Sequence, residues 1–186
     1  MRLTTLLPLL AALVVGGGAA AQEAVTSAFE GFSGRGNLPV NIEADKLEVQ
    51  ETDQTAIFSG NVVVVQGTST LRTAKLTIYY EKNGSAQPAA PTPQGDVVTG
   101  RNIRRLDAEG AVSVTSGTQK ASGTRGIFDM PSNTITLTGN VMVTQGNNIL
   151  KGDKLVVDLT TQKSRVESSN TGGRVQGVFG PSKSTQ

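Results

Sequence analysis

A repeated octapeptide constrains this chain more than any other feature. Gly60-Asn61-Val62-Val63-Val64-Val65-Gln66-Gly67 recurs as Gly139-Asn140-Val141-Met142-Val143-Thr144-Gln145-Gly146. Downstream, Leu71, Lys75-Leu76 and Ile78 match Leu150, Lys154-Leu155 and Val157. A weaker copy begins at Gly110-Ala111-Val112 and leads on to Phe128 and Asp129, the latter matching Asp158. Copies two and three are 29 residues apart and copies one and two are 50 apart. The extra 21 residues fall at 81–101, where Pro88, Pro91 and Pro93 interrupt any alternation, so this stretch reads as an inserted loop. Partial copies flank the set: Ala44-Asp45-Lys46-Leu47 and Val49 echo Gly152-Asp153-Lys154-Leu155 and Val157, and Gln162 to Glu167 begins another. Each repeat is one unit that cannot bury its apolar face alone, so the copies must stack around a shared core.

Within each copy the apolar residues alternate, which is the period of a strand with one face buried. Phe58, Gly60, Val62 and Val64 share a face. So do Leu106, Ala108, Gly110, Val112 and Val114, and likewise Ile135, Leu137, Gly139, Val141 and Val143. The return strands contribute Leu76, Ile78 and Tyr80, then Phe128 and Met130, then Leu155, Val157 and Leu159. Thr77, Arg125, Thr136, Thr138, Asn140 and Lys154 fall on the opposite, water-facing side. Turn clusters separate the strands at Gly67-Thr68-Ser69, Ser116-Gly117-Thr118, Pro131-Ser132-Asn133, Gly146-Asn147-Asn148 and Thr160-Thr161-Gln162. The pattern predicts an all-β, antiparallel fold of about seven or eight long strands. The glycine recurring in mid-strand lets each long strand bend there.

The first 21 residues read as an address. Arg2 precedes an apolar run from Leu6 to Val15, then Gly16-Gly17-Gly18 and a small-residue site at Ala19-Ala20-Ala21. Ten apolar residues reach about half-way across a bilayer core as a helix. The expectation is a secretory leader cut after Ala21 and an exported mature chain. Residues 22–37 read as a linker, 38–167 as the β domain, and 168–186 as a mostly flexible Gly/Ser-rich tail, in which Arg174 to Phe179 could add a short strand.

Composition then narrows function. The chain has no His and no Cys, which removes imidazole proton transfer, thiol chemistry and Cys/His metal sites. Aromatic residues are 4%, too few to form a stacking platform for single-stranded nucleic acid. Without the leader's Arg2 the chain carries 16 basic and 15 acidic side chains, so no nucleic-acid footprint is expected. Asp107 and Glu109 alternate on one strand face, and Asp45, Asp153 and Asp158 recur with the repeat; recurrence points to turn and surface roles and not to a single catalytic centre. No enzyme, metal or cofactor is expected.

These motifs resemble the LptA/OstA-like family of lipopolysaccharide-transport proteins. The resemblance rests on Asn41-Ile42-Glu43-Ala44-Asp45-Lys46-Leu47, Phe58-Ser59-Gly60-Asn61-Val62 and Arg104-Arg105-Leu106-Asp107-Ala108-Glu109-Gly110-Ala111-Val112, and spans about residues 37–167. Ala111 departs from the asparagine of the other copies. The resemblance implies a twisted, slightly open β-jellyroll with an apolar interior groove. It further implies a periplasmic carrier that binds lipid A, stacks end to end with itself, and meets an LptC-like inner-membrane and an LptD-like outer-membrane partner.

On that reading the groove candidates are Phe58, Val62, Val64, Ile78, Leu106, Val112, Val114, Phe128, Met130, Leu137, Val141, Val143, Leu155 and Val157. The candidate partner edge is the first strand, with Val40, Ile42, Leu47 and Val49, the alternative being that Gln22 to Leu38 or the tail from Ser168 folds over an edge. Arg101, Arg104, Arg105, Lys120, Arg125 and Lys151 could meet lipid phosphates or form a solvated face. The alternative is a structural envelope scaffold that assembles through its edge strands and binds no lipid.

Overall fold

The computed structural model describes Phe29 and residues 40–81, 103–168 and 173–180. The expected leader and all but Glu81 of the expected 81–101 insertion lie outside the described residues. Ten strands form: β1 (Asn41–Glu43), β2 (Lys46–Gln50), β3 (Thr55–Gln66), β4 (Ser69–Tyr80), β5 (Ile103–Ser116), β6 (Gln119–Asp129), β7 (Thr134–Gln145), β8 (Asn148–Asp158), β9 (Lys163–Glu167) and β10 (Gln176–Val178). All pairings are antiparallel in one sheet running β1-β3-β4-β5-β6-β7-β8-β10, with β2 also on β3 and β9 also on β8. Six strands, β3 to β8, are long. At each end a pair of short strands, β1 with β2 and β9 with β10, stands where a further long strand would lie.

The turns alternate between two types at opposite ends of the strands. Gln66↔Ser69, Ser116↔Gln119 and Gln145↔Asn148 close two-residue hairpins whose first loop residue is glycine. Gly67, Gly117 and Gly146 have φ of 58°, 55° and 54°, the conformation that matches hairpin twist and that glycine adopts without steric cost. At the other end, Glu51–Gln54, Met130–Asn133 and Leu159–Gln162 make four-residue turns, closing on Thr55, Thr134 and Lys163. Each of these ends in a residue of positive φ: Gln54, Asn133 and Gln162. Aspartates fix the second and third of these turns. The Asp129 carboxylate accepts from the Ser132 amide (3.0 Å) and hydroxyl (2.6 Å), and that of Asp158 from the amides of Thr160 (2.8 Å) and Thr161 (2.9 Å). The repeating aspartates at these positions are therefore turn residues, as the spacing predicts. Met130, expected within a return strand, lies in the turn and is partly buried.

The mid-strand glycines prove to be bulges. Register slips between Ser59 and Val62, between Glu109 and Val112, and between Thr138 and Val141, each time with one extra residue on the glycine-bearing strand. Gly60, Gly110 and Gly139 have φ of 80°, 82° and 81°, and the next residues, Asn61, Ala111 and Asn140, stay positive at 47°, 51° and 49°. Asparagine tolerates that region and alanine does not, so the second copy holds the same backbone at a local cost.

Where the sequence predicts one long opening strand from Val40 to Val49, the structure breaks it into β1 and β2 at Ala44-Asp45. The break answers the bulge across the ladder. The Asp45 amide donates to the Gly60 carbonyl (2.9 Å), and the Asp45 carboxylate accepts from the Asn61 side-chain amide (2.9 Å). The tail strand foreshadowed at Arg174–Phe179 does form, as β10, pairing Gly177 with Leu150.

Candidate functional site

Inward side chains line up in rows that cross the whole sheet. One row runs Leu47, Phe58, Leu76, Ala108, Gly126, Leu137, Leu155 and Val166, from β2 to β9. Another runs Ile42, Val64, Leu71, Val114, Ala121, Val143, Leu150 and Gly177, from β1 to β10. Each row is apolar throughout, because each strand repeats the same alternation in register with its neighbours. Each row also ends at strands that have no further neighbour among the described residues. The interior is thus an apolar track that reaches both edges.

Twelve of the fourteen groove candidates are buried in this interior: Phe58, Val62, Val64, Ile78, Val112, Val114, Phe128, Leu137, Val141, Val143, Leu155 and Val157. Leu106 and Met130 are partly buried and pack against it. Burying each large aliphatic or aromatic side chain contributes about 1.5–3 kcal/mol, so the same residues hold the fold and define the track. At the edge, Val40, Ile42 and Leu47 are partly buried against the core, while Val49 is 42% exposed. The edge strands therefore offer outward their backbone groups and few apolar side chains.

Phe29 is the residue that sequence reasoning missed. It belongs to the stretch expected to be linker, yet it is 2% exposed and packs within the core. It lines a cavity of about 60 Å³ together with Val64, Leu71, Leu76, Leu106, Ile135 and Leu137. Phe29 and Phe32 stand among small and polar residues with no sustained alternation, so nothing local marks Phe29 as inward.

The outer face holds a second surprise. Asp107 is 4% exposed and Thr77, expected to face water, is 7% exposed. They are cross-strand neighbours, with Ile57 on the other side of Thr77. Two guanidiniums close over Asp107: Arg105 donates to it at 2.9 Å, and Arg125 donates through both Nε (2.9 Å) and Nη2. Arg105 also lies 5.8 Å from the centre of the Tyr79 ring. Burial pushes the Asp107 carboxyl up, but its bonds to Arg125 and Arg105 outweigh this and hold it below the ordinary value. Arg105 and Arg125 thus pair with Asp107 while staying partly exposed; Arg101 lies outside the described residues.

The linkage is definite in sign. A carboxyl depressed in the folded state contributes stability above its unfolded value near 3.9, and loses it as pH falls through the folded value. Asp129 and Asp158 are also held low, by the Ser132 and Thr161 bonds respectively. With no His in the chain, the melting temperature is expected to stay nearly flat from about pH 5 to 8 and to drop below about pH 4. Asp107→Asn should lower it at neutral pH by the equivalent of about 1–3 kcal/mol and flatten the acid limb. Scanning calorimetry over a pH series reads both.

A bulged antiparallel repeat wrapped on an apolar track defines an all-β protein of jellyroll type. Comparison then places it. Residues 41–163 match the family described as LptA/(LptD N-terminal domain) LPS transport protein, and the chain belongs to that family. An uncharacterized protein of Rhizobium meliloti is 36% identical over 160 residues, covering 85% of this chain and 80% of its own. The lipopolysaccharide export system protein LptH of Pseudomonas aeruginosa aligns over the full length of both chains at 26% identity. LptA of Escherichia coli K12 is 24% identical, over 81% of this chain and 76% of its own. The crystal structure of LptH, titled as the LptA-homologous periplasmic component of the lipopolysaccharide transport device, matches with a TM-score of 0.59 at 21% identity. That match covers 77% of this chain and 96% of LptH. The fold is accordingly the LptA-like β-jellyroll.

Proposed function

We propose that this protein is a periplasmic lipopolysaccharide carrier that bridges the two membranes, its lipid A chains travelling along the apolar track. The observation that carries this reading is the unbroken row from Leu47 to Val166. A core that only stabilised a domain would close on itself, whereas these rows run out at strands with no further neighbour among the described residues. Each CH₂ kept from water is worth about 0.8 kcal/mol, so a twelve-carbon chain avoids a penalty of order 10 kcal/mol. The carrier needs no reaction of its own. An LptC-like protein at the inner membrane and an LptD-like protein at the outer membrane are the proposed neighbours at the ends of the stack.

Photo-crosslinking residues at Phe58, Ile78 and Leu137, in cells making lipopolysaccharide, test the reading. Capture of lipopolysaccharide supports it. Capture of neighbours at the edges with no lipid at any interior position replaces it with the scaffold.

Self-stacking follows from the repeat with a defined register. Asn41–Gln50 repeats Ile149–Asp158, and Lys163–Glu167 repeats Thr134–Thr138. If the next copy adds its β2 to β9 as β8 adds to β7, then Thr136↔Val156, Leu137↔Leu155 and Thr138↔Lys154 become Arg165↔Glu48, Val166↔Leu47 and Glu167↔Lys46. The apolar row continues across the joint, and both flanking pairs are opposite in charge. Each such exposed pair contributes only about 0–1 kcal/mol, so backbone pairing holds the joint and the charges set its register. Glu48→Arg is therefore expected to weaken self-association several-fold, and Glu48→Arg with Arg165→Glu to restore it, as read by sedimentation velocity.

A further inference from the structure

Phe29 occupies the place where the carrier reading needs lipid. It is 2% exposed, and residue 40 is the next described position along the chain. The walls of its seat are Val64, Leu71, Leu76, Leu106, Ile135 and Leu137, with no polar side chain among the cavity's lining residues. All six walls belong to the long strands, and Val64, Leu71, Leu76 and Leu137 stand on the cross-strand rows that form the track. Phe29 belongs to neither: it comes from the stretch ahead of the first strand. The seat is thus complete without Phe29, and Phe29 fills it as a ligand would.

The space left over makes the point sharper. The cavity beside Phe29 is about 60 Å³, less than half of the roughly 150 Å³ in which an engineered protein cavity accommodates benzene. A flexible acyl chain of twelve carbons cannot enter that remnant while the benzyl group stays. The sequence between Phe29 and Val40 is Glu-Gly-Phe-Ser-Gly-Arg-Gly-Asn-Leu-Pro, with three glycines and a reach of about 35 Å when extended. Covalent reach alone therefore does not tie Phe29 to the position of β1.

We propose that the seat of Phe29 is an acyl-chain site and that Phe29 is its resident occupant, so that lipid A and Phe29 exclude one another. This rests on the carrier reading and deepens it, naming one station on the track. The ligand class is a saturated acyl chain, recognised by shape and apolar contact alone. In the empty carrier Phe29 keeps the interior dry and packed; as lipid arrives, an acyl chain replaces the ring, and as lipid moves on the ring returns. The exchange swaps one apolar group for another and leaves no void, which suits a track that must both hold cargo and release it.

The chain has no Trp, so Phe29→Trp in the full mature chain places a single indole at the seat. In the free protein its emission should be blue-shifted and protected from acrylamide. Titration with lipid A should shift it to the red and expose it to quencher, while deacylated lipopolysaccharide core oligosaccharide should leave it unchanged. Phe29→Ala should bind lipid A about tenfold more tightly, and Phe29→Leu should fall between, since the smaller the occupant the weaker the competition. Lipid A binding to all variants is followed independently by crosslinking at Phe58. If lipid crosslinks there while the indole stays buried, or if Phe29→Ala binds no more tightly than wild type, Phe29 is a core residue and the inference fails with the carrier reading intact. An indole already exposed in the free protein overturns the inference too. If lipid A crosslinks to none of the variants, both the inference and the carrier reading fall.

Discussion

Val143→Asp is expected to abolish folding. Val143 is 4% exposed and sits in the inward row between Ala121 and Leu150. No cation lies on that row to pair with a carboxylate. An unpaired ion buried among aliphatic side chains costs several kcal/mol even after relaxation. The lost methyl contacts add about 1 kcal/mol or more. The sum matches or exceeds the margin of a typical domain of 5–15 kcal/mol at its lower end. Far-UV circular dichroism of the purified variant should show loss of the strand signal, or a melting temperature lowered by tens of degrees. A variant that stayed folded and supported lipopolysaccharide transport would show that Val143 does not face the interior. Val63→Asp is the control, since Val63 stands between two buried valines on the alternate face and is only partly buried; a much smaller loss is expected there.

Gly139→Ala should be the most damaging single methyl that can be added to the glycines among the described residues. Gly139 has φ +81°, a conformation that L-residues rarely adopt, and a Cβ there would overlap the Thr124 hydroxyl and lie 3.0 Å from the Thr124 Cβ. Thr124 is itself anchored, its hydroxyl donating to the Thr138 carbonyl at 3.1 Å. Relieving the overlap means breaking that bond or flattening the bulge. Backbone strain of about 1–2 kcal/mol and a lost hydrogen bond of about 1 kcal/mol together give a loss of about 2–4 kcal/mol. Gly146→Ala separates the two causes. Its φ is +54° with nothing within 4 Å of the added methyl, so only the backbone strain remains, near 1–2 kcal/mol. Urea melts of the two variants should therefore differ by at least about 1 kcal/mol. Equal losses would mean that the contact with Thr124 carries no weight and that the bulge is held by backbone conformation alone.

The bulges connect these stability arguments to function. A strand of twelve residues such as β7 can keep its inward set buried on both sides of a bend only if the extra residue is absorbed locally. The positive-φ pair Gly139-Asn140 absorbs it, and Leu137 and Val141 both remain buried, at 1% and 2% exposure. Repeating the device in β3, β5 and β7 keeps the rows aligned from one edge to the other. The proposed continuation of the track by another copy depends on that alignment.

Much of this was legible in one dimension. Alternation in register identified the strands and most of the inward residues, because a buried face imposes period two on the chain wherever a strand runs. The Gly-Asn and Gly-Ala pairs marked the bends, and recurrent Asp129 and Asp158 marked turns, because each does its work within a few residues of itself. Family membership was legible for the same reason, carried by local motifs repeated at fixed spacing.

Other features were decided by neighbours far away in sequence. The opening strand breaks at Asp45 because Gly60 and Asn61 of the next strand bulge against it. Thr77 and Asp107 are buried on a face that their own strands mark as polar, because Arg125, from a third strand, caps the carboxylate. Phe29 enters the interior from outside the repeat altogether. Periodicity determined which side of each strand faces inward, since that follows from backbone geometry. Only the tertiary structure decided what fills the space the strands enclose, since that depends on which distant side chain best excludes water from it.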